Sequence, residues 1–141
     1  MLSWFSAPSL ERVTYEEVHA ALRDSRVCIV STLPAHDQSC LIARTLAPQE
    51  EERRLNAHLK RGEARCPIVV YGRNAADGAP DKKCRQLQNL GFTSVRLYAG
   101  GLFEWVLLQD IYGAELFPTT SVCADPLLFK SAPTPRLRLT A

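Results

Sequence analysis

The sequence predicts an α/β domain built on a central, mostly parallel sheet with helices on both faces. Three observations lead there. Short, continuous apolar runs stand at Val27 to Val30 and Ile68 to Tyr71, the pattern of strands buried on both sides rather than on one, and Ser94 to Tyr98 reads as a third strand. Stretches with helical spacing and helix-capping signals stand between and after those runs. Strand and helix therefore alternate, which packs as a covered parallel sheet. The chain has 141 residues, a length that suits one domain around one core.

The elements follow in order. Thr14-x-x-Glu17 is a capping box that opens the first helix, with Tyr15, Val18, Ala21 and Leu22 on one face. The strand from Val27 comes next, then a polar loop from Ser31 to Ser39 broken by Pro34. A short extended piece is expected at Cys40 to Ala43. The clearest helix has Pro48 near its first position, Glu50, Glu51 and Glu52 in its opening turns, Lys60 and Arg61 at its close, and Gly62 as a left-handed cap. Only Leu55 and Leu59 give it an apolar seam. After the strand Ile68 to Tyr71, the stretch Gly72 to Pro80 is rich in Gly, Asn, Asp and Ala and reads as a loop. A helix from Asp81 to Leu90 ends at Gly91, and the strand from Ser94 leads to Gly100-Gly101. Leu102 to Asp110 is helical and apolar nearly all round, so it is buried or half of an interface. Beyond Phe117 the prolines 118, 126, 133 and 135 predict an extended tail lying against the domain or a partner. The expected division is an N-terminal extension over 1–12, the domain over 13–120 and the tail over 121–141.

Composition removes several classes of function. A net charge of +2, with basic residues dispersed among acids, argues against a nucleic-acid partner. No apolar run approaches a membrane span. The opening Met1 to Phe5 lacks the basic and apolar regions of a secretory signal, and Glu11, Glu16 and Glu17 oppose a transit peptide. The five cysteines are odd in number and form no C-x-x-C, which reads as free thiols in a reducing, cytoplasmic setting; mitochondrial import is the alternative. His19, His36 and His58 have no Cys or His neighbour at ligand spacing, so each is expected on a solvated face and no metal is expected. No cofactor is expected either, since phosphate loops, dinucleotide fingerprints and nucleophile elbows are absent.

One segment carries a functional expectation without any family knowledge. The loop Gly72 to Pro80 leaves a buried strand and enters a helix N-terminus at the carboxyl edge of the sheet, where ligands of open α/β sheets sit. Amide groups and the helix dipole there favour an anion. Gly72, Arg73, Asn74, Asp77 and Gly78 are its candidate binding residues.

From Ile68 to Trp105 the residues resemble the rhodanese-like superfamily, which includes sulfurtransferases and cell-cycle phosphatases. Val69-Val70-Tyr71 leads into a loop and helix, Leu87 precedes Gly91-Phe92 by four residues, and the strand to Tyr98 runs into Gly100-Gly101-Leu102-Phe103-Glu104-Trp105, like the family's Gly-Gly-x-x-x-Trp. The resemblance implies a cysteine directly after the strand, its thiolate held in an amide nest and able to carry a persulfide. Here Gly72 stands at that place and supplies no nucleophile. Asp77 puts an acid where an anionic substrate would sit. The thiols available as substitutes are Cys40, with Lys82 and Lys83 to ionise it, and Cys84; the plainer reading of Cys84 is a core residue. Arg73 and Asn74 either bind an anion or simply brace the loop.

The resulting expectation is a non-catalytic module that joins another protein or a large assembly through the tail and the 102–112 segment. The resemblance adds ciliary or organellar complexes as conceivable settings. The alternatives are a divergent sulfurtransferase or phosphatase using a displaced cysteine, and a small-anion sensor built on Arg73.

Overall fold

Four strands and four α-helices alternate along the computed structural model, which describes residues 9–123 and 125–132. In chain order they are β1 (Glu11–Val13), α1 (Tyr15–Leu22), β2 (Cys28–Ser31), α2 (Pro48–Lys60), β3 (Ile68–Tyr71), α3 (Ala79–Asn89), β4 (Val95–Tyr98) and α4 (Gly101–Tyr112). Two short 3-10 turns, Ala35–Asp37 and Pro126–Phe129, complete the set. The sheet order is β1-β4-β3-β2 and every pairing is parallel.

Parallel strands bury both faces, and the residues divide between them with a period of two. Cys28, Val30, Ile68, Val70, Val95 and Leu97 point to one side and pack under Leu55 of α2 and Cys84 and Leu87 of α3. Ile29, Val69, Tyr71 and Tyr98 point to the other, against Val18 and Ala21 of α1 and Leu102, Trp105 and Val106 of α4. Trp105 centres that second layer. Its ring meets Phe117 edge-on at 5.0 Å and His19 at 5.4 Å, and its indole N–H donates to the Pro118 carbonyl at 3.0 Å. His19 is therefore a packing residue, contrary to the solvated position expected for it; the flat imidazole fills the aromatic gap between α1 and α4.

Helix ends follow their local chemistry. The Thr14 N–H donates to Glu17 Oε1 at 3.4 Å, as a capping box requires. At the far end of α2, Gly62 takes φ +72°. The Glu63 N–H then reaches the His58 carbonyl at 2.8 Å and the Gly62 N–H reaches Leu59 at 3.2 Å, a Schellman turn.

Two further expectations are corrected, the start of the domain and the state of two cysteines. β1 begins at Glu11, two residues before the expected domain start at residue 13; it has one buried residue, Val13, and two charged ones, so no apolar run announces it. The piece Cys40 to Ala43 is extended but outside the sheet. It runs antiparallel to the segment after α4, with an Ile42–Thr119 bridge, Ala43 N–H to Pro118 O at 3.0 Å and Thr120 N–H to Leu41 O at 2.8 Å. A disulfide joins Cys40 to Cys123 beside this ladder, with Cα atoms 5.9 Å apart, so these two cysteines are not the free thiols expected from an odd count. Cys28, Cys66 and Cys84 are free and buried. Among the described residues no helix is long and apolar enough to cross a membrane.

Arg44 secures the end of α1 from a distance. Its guanidinium donates to the carbonyls of Ala21 at 2.7 Å, Asp24 at 3.2 Å and Val27 at 3.3 Å, and its own backbone is left-handed at φ 66°. Arg44→Ala loses the bonds and keeps the strained backbone, so it should cost about 1–2 kcal/mol in urea unfolding. Arg44→Gly relieves the strain and should cost roughly 1 kcal/mol less.

Candidate functional site

The loop between β3 and α3 is closed by its own side chains. Asn74 Oδ1 accepts from the Ala76 N–H at 2.9 Å, a local turn of the kind Asn favours. Asp77 then turns inward. Its Oδ2 accepts from the Arg73 N–H at 3.0 Å and its Oδ1 from the Ala79 N–H, at the first residue of α3, at 3.0 Å. An amide cradle at a helix N-terminus invites negative charge, and here the Asp77 carboxylate already provides it. The crowding is quantitative: a Cβ on Gly72 would stand 2.6 Å from Asp77 Oδ2 and 2.8 Å from the ring carbons of Pro80. Gly78, by contrast, is exposed with open space around it.

The other wall of the cradle is α4. Gly101 has φ +68°, and a Cβ there would lie 2.8 Å from the Gly72 carbonyl oxygen and 3.0 Å from the Asn74 nitrogen. This approach lets the Leu102 N–H donate to Gly72 O and the Phe103 N–H to Arg73 O, both at 2.9 Å. The orphan amides of a helix start are thus satisfied by loop carbonyls.

The C-terminal turn lies over the same loop. Asn74 Nδ2 donates to the Phe129 carbonyl at 2.8 Å, and Phe129 is buried. Arg73 donates to Asp37 Oδ2 at 2.7 Å and to the Leu128 carbonyl at 3.2 Å, with its guanidinium 5.5 Å from the centre of the Phe129 ring. Arg73 and Asn74 brace the loop and the tail through these bonds. An open groove beyond the end of β2 borders this region, lined by Ser31, Thr32, Gln38, Lys82 and Gln86 and crossed by a Lys83–Glu51 ion pair of 3.0 Å.

Neither substitute thiol is presented to the loop. Cys40 is held in the disulfide with Cys123, which corrects its reading as a possible nucleophile, and Lys83 is spent on Glu51 rather than on ionising it. Cys84 is fully buried beneath α3 with Leu87 and Phe92, where desolvation, then the nearby Asp81, pushes its thiol up to about 11.

At the opposite, amino-terminal edge of the sheet the fold assembles a group that sequence spacing did not reveal. Ligating atoms of Cys28, His58 and Cys66 all lie within 4.8 Å of one another. His58, expected on a solvated face, has a side chain only 17% exposed, and its Nδ1 is 3.0 Å from Glu63 Oε2. Burial, then the neighbouring Cys28, pushes the Cys66 thiol up to about 12. The residues are 38 positions apart from Cys28 to Cys66 (66 − 28), so no local signal foretells the cluster.

The parallel sheet, the β3–loop–α3 crossover and the double-glycine entry to α4 make this the rhodanese-like fold, and comparison with solved structures agrees. The Alr3790 protein from Anabaena superposes with a TM-score of 0.56 at 20% identity, covering 82% of this chain and 96% of that one. BH2092 from Bacillus halodurans gives a TM-score of 0.56 at 17% identity over 73% of this chain and 74% of that one. Thiosulfate sulfurtransferase from Pseudomonas aeruginosa gives 0.50 at 25% identity over 70% of this chain, but this is 19% of that larger chain. No protein-family model matches the sequence, and neither does any curated protein.

Two outcomes test this description. Gly101→Ala puts a methyl against backbone and forces a side chain into left-handed geometry, and should lower unfolding stability by about 2–4 kcal/mol. Cys84, a buried thiol with a raised pKa, should resist iodoacetamide at pH 8 until the chain unfolds, as peptide mass mapping will show.

Proposed function

We propose that this chain is a non-catalytic rhodanese-like module whose work is to bind another protein. The observation that carries the reading is the Asp77 carboxylate bonded into the amide cradle, 2.6 Å from where a Gly72 side chain would begin. Sulfur transfer in this fold requires a thiolate in that cradle. Here a fixed carboxylate takes up its amides, and Pro80 fills the space beside it.

The distribution of exposed apolar side chains supports the binding half of the proposal. Among the described residues the large ones are Leu90 and then Ile111, Tyr112, Leu116, Val122, Leu127 and Leu128. All but Leu90 therefore belong to the end of α4 and the segment that follows it. α4 and the Pro126–Phe129 turn also pack on each other. Grouped apolar exposure of this kind marks interaction surfaces.

Cyanide-dependent thiocyanate release from thiosulfate tests the catalytic half. The rate should equal the protein-free background for the native chain and for Gly72→Cys, whose new thiol meets an occupied cradle. Turnover that Cys84→Ser or Cys40→Ser abolishes would overturn the proposal. For the binding half, capture from extracts of the source cells should retain a partner that the double change Ile111→Asp, Leu128→Asp releases; unchanged retention would count against this surface.

A further inference from the structure

We infer that Cys28, His58 and Cys66 form a site for a thiophilic divalent cation, zinc above all, at the edge of the sheet remote from the 72–80 loop. The site is assembled from three separate elements. Cys28 opens β2, Cys66 stands just before Pro67 and β3, and His58 lies in the last turn of α2. The first two are drawn together by the sheet itself, since the Cys28 N–H donates to the Pro67 carbonyl at 2.9 Å.

The spacing suits a metal. Ligating atoms on a tetrahedral zinc with bonds of 2.0–2.3 Å stand roughly 3.5–3.8 Å apart, and the three here fall within 4.8 Å of one another, so a small closing movement suffices. The imidazole is already oriented. The Schellman turn at Gly62 folds Glu63 back beneath His58, and Glu63 Oε2 takes the Nδ1 position at 3.0 Å. With Nδ1–H donating to that carboxylate, the lone pair sits on Nε2. A carboxylate fixing the ligand tautomer is the usual outer partner of a metal-bound histidine.

The donor set selects the ion. Two sulfurs and one imidazole favour zinc and other soft or borderline cations and offer nothing to magnesium or calcium. Loading displaces one proton from each thiol to solvent, and the two thiolates then balance the dication without any redox step. A surface cavity lined by His58, Glu63 and Cys66 gives the ion its way in, and water would complete a tetrahedral set of four. Bound there, the ion would tie the end of α2 to the starts of β2 and β3.

Titration of the full chain with Co2+ under argon, after chelator treatment, tests the inference. One equivalent should produce thiolate-to-cobalt charge-transfer absorption together with the visible bands of tetrahedral cobalt, and one equivalent of Zn2+ should bleach both. Glu63→Gln should weaken binding about 10-fold, and His58→Ala and Cys66→Ser more strongly, each with unchanged far-ultraviolet dichroism. Cys84→Ser should bind as the native chain does. Absence of sulfur-to-cobalt absorption, or binding indifferent to both His58→Ala and Cys66→Ser, would overturn the site. So would mass mapping that finds Cys28 bonded to Cys66 in the native protein.

Discussion

Gly101 approaches the Gly72 carbonyl so closely that no side-chain carbon fits between them, and the carboxyl end of β3 is organised around that approach. Because α4 can press its first amides onto the carbonyls of Gly72 and Arg73, the chain leaving β3 is pinned at once. Pinning turns the next amides toward a common point, and a common point of N–H groups demands an acceptor. In this chain the acceptor is Asp77. The backbone constraint here builds a closed turn.

Fold and chemistry separate cleanly in such a case. The sheet, the crossovers and the double-glycine entry survive because packing and backbone geometry require them, whatever happens at residue 72. At residue 72 of this chain a glycine faces the Asp77 carboxylate and the Pro80 ring. Arg73 is drawn into the same turn. A cation in such a loop would ordinarily meet an anionic ligand, yet its guanidinium is shared between Asp37 and the Leu128 carbonyl and lies beside Phe129. The C-terminal turn thereby becomes part of the loop's own structure.

Much of this was legible in the residues. Ile68 to Tyr71, the long helix from Pro48 and the Gly62 cap were readable because their signals are local: continuous β-branched runs, a proline at the start, a glycine at the end. The place of Gly72 directly after β3 was readable too, since it needs only the end of a clear strand run. What escaped were features defined by distance in space. β1 is a strand because β4 offers it an edge, with Glu11 meeting Arg96 at 2.9 Å, and its own residues carry little strand character. His19 enters the core because Trp105 and Phe117 leave a gap its ring fits. Cys40 finds Cys123 across 83 residues, and Cys28, His58 and Cys66 meet because two parallel strands and a helix end happen to converge. Counting cysteines and measuring spacings along the chain cannot register such meetings.

The outer rim of β2 is not bare. The Leu46 N–H donates to the Ile29 carbonyl at 2.9 Å and Thr45 bridges to Ile29, so the segment entering α2 runs along that strand like a hem. At the other rim, β1 is three residues long and two of them are charged. Strand-to-strand addition, a common way for sheets to recruit peptides or to aggregate, therefore finds almost no backbone to read among the described residues. A visitor to this domain must recognise it by shape and side chain, from the helical faces rather than from the sheet.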